Sequence, residues 1–188
     1  MILTTTPAGE IGHAAPDFDL PDPSGKHWTF EDIAGEKGTV VAFICNHCPY
    51  VKAVIDRFVD DAKALQAKGI GVVAIMSNDW SVYPEDAPEH MAAFAKEHGF
   101  TFPYLIDETQ VVAREYGAVC TPDIFGYGKE HTLKYRGRVD SATNRPAGPD
   151  TRREMLEAMI QIAGTGMAPA DQQPSIGCSI KWRDQDNS

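Results

Sequence analysis

Hydrophobic residues recur along the chain in two patterns, one typical of buried strands and one of amphipathic helices. Continuous apolar runs at 39–44 and 70–76 are rich in β-branched residues and predict strands that are buried on both faces. Between them, apolar positions recur at spacings of three and four, which predicts a helix that begins at Pro49 and ends before Gly69. Two strands joined by a helix lie parallel. The first half therefore predicts a β-α-β unit.

The same patterns predict the remaining elements. Partial alternation on either side of a Pro- and Gly-containing turn at 21–25 predicts a small N-terminal hairpin. The other predicted helices lie at 89–97, 108–116 and 151–163, and the other predicted strands at 102–106, 123–127 and 131–138, the last two as a hairpin. In the tail, apolar residues alternate as one face of a strand would, at Ile176, Cys178, Ile180 and Trp182. We therefore expect the tail to dock on the body.

Length predicts one domain with appended ends. A chain of 188 residues with 43% hydrophobic content can bury one sizeable core but is short for two full domains. We place an N-terminal extension at 1–13, the domain at 14–163 and the docking tail at 164–188, of which 184–188 should fray.

Charge and hydropathy exclude several classes of partner. The net charge of −10, with no long basic run, argues against nucleic acid. No apolar run reaches the roughly 18 to 20 residues that span a bilayer, and the first twelve residues lack the features of a signal peptide. We therefore expect no membrane contact and a cytoplasmic location. Four cysteines are too few for a disulfide-stapled scaffold of this length.

Cys45 and Cys48 follow the first buried strand and open the predicted helix, with Asn46 and His47 between them. The helix amino terminus and a protonated His47 would both favour negative charge and lower the pKa of Cys45 from its usual value of about 8.5. A thiolate is the nucleophile of disulfide exchange, and the spacing lets Cys48 resolve a mixed disulfide on Cys45. The alternatives are two buried core thiols or half of a metal site.

Several segments together resemble the thioredoxin-like superfamily over about residues 14 to 163. They are the strand, CxxC, helix and strand of the first half and Thr121-Pro122 before a later strand. The opening at 15–20 is similar to that of the peroxiredoxin-like branch, which includes alkyl hydroperoxide reductase and thiol-specific antioxidant proteins. CNHCPYV, YGAVCTPDIF and PSIGCSIKW look like those of a bacterial subgroup of redoxin-domain proteins. The resemblance implies an α/β, thioredoxin-like fold, with a central mixed β-sheet flanked by helices and an N-terminal β-hairpin.

The resemblance also implies roles for site residues. Cys45 would be the exposed attacking cysteine and Cys48 the resolving one, and Pro122 would be a cis-proline that faces them. Thr121, extended before this proline, would offer backbone groups to a bound peptide strand.

The chain departs from the superfamily pattern at three points. No carboxylate lies between Lys37 and Cys45, so the buried acid of many thioredoxins is absent from its usual strand. The peroxiredoxin signature of a proline and then a threonine or serine before the cysteine is also absent. His47 stands where strongly oxidising disulfide-forming proteins have a histidine, which predicts a potential more oxidising than that of thioredoxin.

Other residues have two interpretations each. Cys120 and Cys178 are possible additional redox thiols, Cys178 within reach of Cys45 or Cys120, but burial in the core is the more ordinary role of such residues. Trp28, Trp80 and Tyr50 could line a peptide groove or close the core. Arg136 and Arg138 could steer a substrate or form the solvated face of a hairpin. A metal site among Glu89, His90, Glu97 and His98 lacks a third convergent ligand.

We therefore predict a thiol-disulfide oxidoreductase in which Cys45 attacks, Cys48 resolves, His47 tunes the thiolate, and Thr121 and Pro122 orient the substrate. The alternatives are a thiol-dependent peroxidase of the peroxiredoxin-like type and a copper- or zinc-binding protein. The expected partners are protein or small-molecule thiols and disulfides, with a thioredoxin- or glutathione-type electron donor. We expect no cofactor and a monomer or homodimer.

Overall fold

Strands and helices alternate through most of the chain in the computed structural model, which describes residues 2–183. The strands are β1 (Leu3–Thr5), β2 (Asp19–Pro21), β3 (His27–Thr29), β4 (Thr39–Phe43), β5 (Gly71–Met76), β6 (Tyr104–Ile106), β7 (Cys120–Thr121), β8 (Asp123–Tyr127), β9 (Leu133–Gly137) and β10 (Ile176–Ser179). The helices are α1 (Phe30–Ile33), α2 (Pro49–Gln66), α3 (Pro88–Glu97), α4 (Val111–Glu115) and α5 (Glu154–Thr165), with a 3₁₀ turn at Pro84–Asp86. Within residues 2–183, no helix combines the length and hydrophobicity needed to cross a bilayer.

A mixed five-stranded sheet forms the centre, in the order β6-β5-β4-β8-β9. β4, β5 and β6 run parallel, whereas β8 and β9 run antiparallel to their neighbours. The β4-α2-β5 segment confirms the predicted β-α-β unit, and β8 with β9 confirms the predicted hairpin. The expected thioredoxin-like arrangement of a mixed sheet flanked by helices is therefore present.

The two faces of the sheet bury two separate clusters because successive strand residues point in opposite directions. On one face, Val40 and Ala42 join the apolar sides of α2, α3 and α5. On the other face, Val41 and Phe43 pack with residues of α1, α4 and the N-terminal hairpin. This double burial explains why the β4 sequence is apolar throughout rather than alternating.

A second, three-stranded sheet ties the beginning of the chain to the tail. β10 lies between β1 and β7 and is antiparallel to both. The predicted docking of the tail is therefore confirmed, and the first residues belong to the same sheet. The strand is shorter than predicted, because β10 ends at Ser179. Cys178 and Ile180 therefore do not share one face: Cys178 packs into the first cluster and Ile180 into the second. The predicted fraying of 184–188 concerns residues outside those described.

Arg136 corrects one interpretation of the hairpin. It does not lie on a solvated face, because its side chain is buried and its Nη2 donates to Asp123 Oδ2 at 2.9 Å and to the Gly117 carbonyl at 2.7 Å. A buried guanidinium requires such partners. Arg138 is also paired, since its Nε donates to Glu154 Oε2 at 2.5 Å.

Candidate active site

The CxxC motif connects the end of β4 to the start of α2. Cys48 is the N-cap residue of α2, and Pro49 occupies the first turn, where its missing N–H is not needed. Both Cys45 and Cys48 have no solvent-exposed surface. The expectation that Cys45 is exposed was therefore wrong: Thr121 and His47 contact its sulfur, and the three-stranded sheet packs on this side of the motif.

The loop that faces the motif contains a cis peptide bond between Thr121 and Pro122, which confirms the predicted cis-proline. Cys48 Sγ lies 3.2 Å from the Thr121 carbonyl oxygen. Cys45 Sγ lies 3.3 Å from the Thr121 hydroxyl oxygen. Thr121 therefore contacts both cysteines, one through its backbone and one through its side chain.

The resemblance implied that the backbone edge beside the cis-proline is open to a bound peptide. In the structure this edge is occupied. β10 pairs with β7 there, with Cys178 opposite Thr121 and Ser179 opposite Cys120. Gly177 permits the close approach, because a Cβ on this residue would lie 2.0 Å from the Thr121 carbonyl oxygen. The chain's own strand therefore lies where a substrate strand was expected.

This pairing brings the third thiol of the site into place. Cys178 is buried, and its Sγ lies 2.6 Å from Cys48 Sγ. Burial agrees with the more ordinary interpretation of Cys178, and the alternative of a thiol within reach of Cys45 or Cys120 is corrected, because Cys48 is the cysteine that it contacts. The sequence could not predict this contact, because the apolar alternation in the tail predicts a strand but does not give the register of that strand against β7.

Cys120 lies next to the site without contacting the sulfurs of the CxxC motif through a hydrogen bond. It is buried, and its thiol is 3.6 Å from the Pro122 carbonyl oxygen. Burial raises the pKa of Cys120 well above its usual range, and the Asp123 carboxylate adds to the effect. These features fit the more ordinary interpretation, a small buried side chain beside the cis-proline.

The thiols of the site have very different proton affinities. Burial raises the pKa of Cys45 well above its usual value, and its neighbours Cys48 and Asp86 raise it further. A hydrogen bond from Cys45 lowers the pKa of Cys48 to about 5 against the effect of burial, with further donors in Cys178 and the Val51 N–H. Burial raises the pKa of Cys178 to about 12. The negative charge of the reduced site therefore lies on Cys48 and not, as the sequence suggested, on Cys45.

His47 lies between Cys45 and a buried carboxylate that sequence reasoning missed. Its Nδ1 is 3.8 Å from Cys45 Sγ and 2.6 Å from Asp86 Oδ2, and its ring stacks on Tyr83 with centroids 4.8 Å apart. Its Nε2 is buried and has no hydrogen-bond partner among residues 2–183.

Asp86 is held by several donors. Its oxygens accept from the backbone N–H groups of Asn46 and His47 at 2.8 and 3.1 Å and from the Asn78 side chain at 2.8 Å. Burial alone would raise the pKa of Asp86, but the hydrogen bonds from His47 and Asn78 bring it below its usual value. Nothing in the sequence separates Asp86 from the exposed Glu85 beside it, since only the fold brings this turn to the motif.

Asn46 connects the motif to neighbouring segments through its side chain. Its side-chain amide donates to the Glu85 carbonyl at 2.9 Å and accepts from the Tyr104 hydroxyl at 3.1 Å. The hydroxyl group of Tyr104 is thus satisfied in a buried position. Asn46 is therefore a positioning residue that joins the motif, the 3₁₀ turn and β6.

Potential metal ligands converge at one point of the described chain, namely at Cys45, His47 and Asp86, whose ligand atoms all lie within 4.8 Å of one another. The predicted candidates on α3 form no such group among residues 2–183, and His98 pairs with Asp56 instead, at 2.7 Å. Metal binding at the three residues would have to replace the hydrogen bond between His47 and Asp86.

The aromatic residues considered for a groove are partly buried. Trp80 and Tyr50 pack against the cluster that includes the two motif cysteines, and Trp28 packs against the other cluster. Trp28 also donates to Asp22 Oδ2 at 3.0 Å. These residues therefore cover the edges of the two hydrophobic clusters.

The sequence profile of the AhpC/TSA family matches residues 11–136. The chain belongs to the AhpC/TSA family. It is thus a member of the peroxiredoxin-like branch of the thioredoxin-like superfamily. The methylamine utilization protein MauD of Paracoccus versutus is 31% identical to it over 172 residues, which are 90% of this chain and 74% of MauD.

Two further relatives represent different kinds of thiol protein. A chloroplastic peroxiredoxin Q of Populus jackii is 28% identical over 80% of this chain and 67% of its own length. The thiol-disulfide oxidoreductase ResA of Geobacillus thermodenitrificans is 27% identical over 70% of this chain and 71% of its own length.

Solved structures confirm the fold of this AhpC/TSA family member. An uncharacterized conserved protein from Geobacillus kaustophilus matches with a TM-score of 0.92 and 41% identity, over 98% of both chains. A putative thioredoxin from Neisseria meningitidis matches with a TM-score of 0.59 and 24% identity, over 80% of this chain and 89% of its own. The thioredoxin-like fold is therefore shown.

Proposed function

We propose that the protein is a thiol-disulfide oxidoreductase in which Cys45 and Cys48 alternate between dithiol and disulfide. The observation that carries this proposal is the pair of contacting thiols opposite a cis-proline, one of them with its pKa lowered to about 5. A thiol of low pKa beside a second thiol is the combination that disulfide exchange requires. The relationship to ResA supports the same activity.

In this mechanism Cys45 attacks a substrate disulfide while the neighbouring Cys48 thiolate takes up its proton. One substrate sulfur leaves as a thiolate, and the other is held in a mixed disulfide with Cys45. Cys48 then attacks Cys45 Sγ, its proton goes to the departing substrate sulfur, and the Cys45–Cys48 disulfide forms. The substrate gains two electrons, and the protein loses two.

Access to Cys45 requires a change in the surroundings of the site, because the cysteine is completely buried. A peptide that used the backbone edge of Thr121 would have to displace β10. A small disulfide could instead enter past His47, which contacts the sulfur and whose ring stacks on Tyr83. The proposed substrates are therefore protein or small-molecule thiols and disulfides, with a thioredoxin- or glutathione-type electron donor.

The proposal is tested by the reduction potential of the Cys45–Cys48 pair. Metal-free protein is equilibrated in glutathione buffers of graded potential, and remaining thiols are trapped with a mass label. We expect a reversible two-electron transition between roughly −270 and −120 mV. Failure of the two cysteines to pair at any potential would reject the proposal and would favour soft-metal binding at Cys45, His47 and Asp86.

A thiol-dependent peroxidase is the second candidate, because the AhpC/TSA family and peroxiredoxin Q both point to it. In this case Cys45 would be oxidised to a sulfenic acid and would then form a disulfide with Cys48. The raised pKa and burial of Cys45 predict slow reaction with hydrogen peroxide. Stopped-flow oxidation of the reduced protein separates the two candidates: a rate like that of a simple thiol excludes the peroxidase.

The cytoplasmic location, the domain boundaries and the monomeric or homodimeric state stay predictions from the sequence.

A further inference from the structure

Cys178 lies where a substrate strand was expected. The antiparallel pairing of β10 with β7 sets Cys178 opposite Thr121, the residue before the cis-proline. Its sulfur is 2.6 Å from Cys48 Sγ, compared with about 2.0 Å in a disulfide bond. The tail thus presents a cysteine to the CxxC motif from the same strand edge that the resemblance assigns to a bound peptide.

The position of Cys178 is fixed on both sides. Before it, Ser175 Oγ donates to the Pro122 carbonyl at 2.6 Å, and Gly177 packs directly on Thr121. After it, the backbone N–H of Lys181 donates to Asn78 Oδ1 at 2.9 Å. Asn78 also donates to Asp86, so the same residue connects the tail to the carboxylate beside His47. The contact between the sulfurs is therefore part of an ordered site.

We propose that Cys178 is a third redox thiol, which exchanges with the Cys45–Cys48 disulfide to form a Cys48–Cys178 disulfide. This inference rests on the proposed function. The sulfur of Cys178 attacks Cys48 Sγ, the bond between Cys45 and Cys48 breaks, and its electron pair leaves on Cys45. The proton of Cys178 passes to Cys45. No external oxidant or reductant is needed, because one disulfide and one thiol give one disulfide and one thiol.

This exchange would release Cys45 as a thiol while the oxidised state is retained on the two other cysteines. Cys48 is the shared partner in both disulfides, which agrees with its contacts to both Cys45 and Cys178. Cys120 does not serve this role, because its thiol is directed to the Pro122 carbonyl. The tail strand would also become covalently attached to the start of α2.

Disulfide mapping of the full chain tests the inference. The reduced protein is oxidised with glutathione disulfide, quenched in acid, alkylated under denaturing conditions and digested with trypsin without reduction. Cys45 and Cys48 lie in the tryptic peptide 38–52, and Cys178 lies in the peptide 154–181. We expect wild-type protein to give both an internally bridged peptide 38–52 and a cross-linked pair of the two peptides.

Variants identify the sulfurs involved. Cys45→Ser should give the cross-linked pair as its main disulfide, Cys178→Ser only the internal bridge, and Cys120→Ser the wild-type pattern. If wild-type protein forms the internal bridge reversibly but neither it nor Cys45→Ser forms the cross-linked pair, the inference is wrong and the proposed function stands. If wild-type protein forms neither disulfide, the proposed function itself fails. Mapping the wild-type chain keeps the test decisive even if a variant does not fold.

Discussion

Cys48 receives hydrogen bonds from two thiols and from the Val51 N–H at the start of α2, and these donors lower its pKa to about 5. The folded, reduced protein should therefore carry one thiolate at neutral pH. We expect ultraviolet thiolate absorbance to titrate near pH 5 in reduced wild-type protein and in Cys120→Ser. This step should be lost in Cys48→Ser. Absence of any thiolate below about pH 8 in wild-type protein would contradict the assignment.

The lowered pKa of Cys48 also makes the stability of the reduced protein depend on pH. Because the pKa of Cys48 is lowered on folding, its contribution is full above the usual thiol pKa of about 8.5 and is lost as the pH falls toward 5. The raised pKa values of Cys45 and Cys178 act in the opposite direction, since the unfolded chain releases their protons above about pH 8.5. Stability of the reduced protein should therefore decline on both sides, and urea unfolding at several pH values measures it.

His47 and Asp86 should shift the reduction potential in opposite directions. His47→Ala removes the hydrogen bond to Asp86 and the ring nitrogen 3.8 Å from Cys45 Sγ, which leaves the Asp86 charge less compensated beside the reduced thiols, so the dithiol loses stability and the potential falls. Asp86→Asn removes a nearby negative charge that raises the pKa of Cys45, so the potential rises. Each shift should be on the order of 10–30 mV, which corresponds to about 0.5–1.4 kcal/mol.

The exposed neighbour Glu85 provides the matched control for this pair, because Glu85→Gln removes a charge from the same turn without touching the sulfurs. Its potential should equal that of wild-type protein. An unchanged potential in His47→Ala would remove histidine from the mechanism, and equal shifts in His47→Ala and Asp86→Asn would argue for a general loss of packing. Thermal unfolding of each variant shows whether it retains the fold.

At the scale of the elements, β10 depends on the absence of a side chain at one position. Gly177→Ala would place a Cβ 2.0 Å from the Thr121 carbonyl oxygen, so the strand has to move away from β7. We expect a loss of about 1–3 kcal/mol in unfolding free energy and faster alkylation of Cys45 and Cys48 by iodoacetamide in the native state. Gly148→Ala, with open space around the new carbon, should change neither quantity. Unchanged alkylation in Gly177→Ala would show that β10 does not cover the thiols.

Local sequence patterns were sufficient for most elements. The apolar run of β4 and the three- and four-residue spacing of α2 predicted their position, and the family resemblance supplied the cis bond at Pro122. Their signals lie within one segment. The pairing of β10 with β7 was not predictable in the same way, because it joins segments about 57 residues apart through backbone hydrogen bonds that any sequence can make.

The site residues divide in the same way: those within the motif were predictable from the sequence, and those brought in by distant segments were not. The motif itself identified Cys45, Cys48 and His47, but the burial of Cys45 and the contributions of Asp86 and Cys178 depend on segments that approach from elsewhere in the chain. The direction of the pKa shifts was predicted for the wrong cysteine, since helix geometry alone does not include desolvation. The burial of Cys45 and its hydrogen bond to Cys48 therefore determine which sulfur carries the charge.

At the scale of the whole molecule, the proposed Cys48–Cys178 disulfide would change stability more than the internal bridge. It joins residues 130 positions apart, and closing so long a loop should stabilise the fold by about 5 kcal/mol, compared with about 2 kcal/mol for Cys45–Cys48. Oxidised Cys45→Ser should thus gain more stability over its reduced form than oxidised Cys178→Ser does. Urea unfolding of the four samples measures this difference, and equal gains would speak against the long cross-link.

The three-stranded sheet also affects how the chain folds while the ribosome is making it. β10 follows every other described strand along the chain, yet its partners are β1 near residue 3 and β7 beside the cis-proline. A contact between such distant segments requires a large loop to close and forms late. While a ribosome still holds the tail, β4, α2 and β5 can already be in place, with both motif sulfurs uncovered. The newly made chain should therefore pass through a period in which these cysteines react readily, which ends only when the tail strand docks.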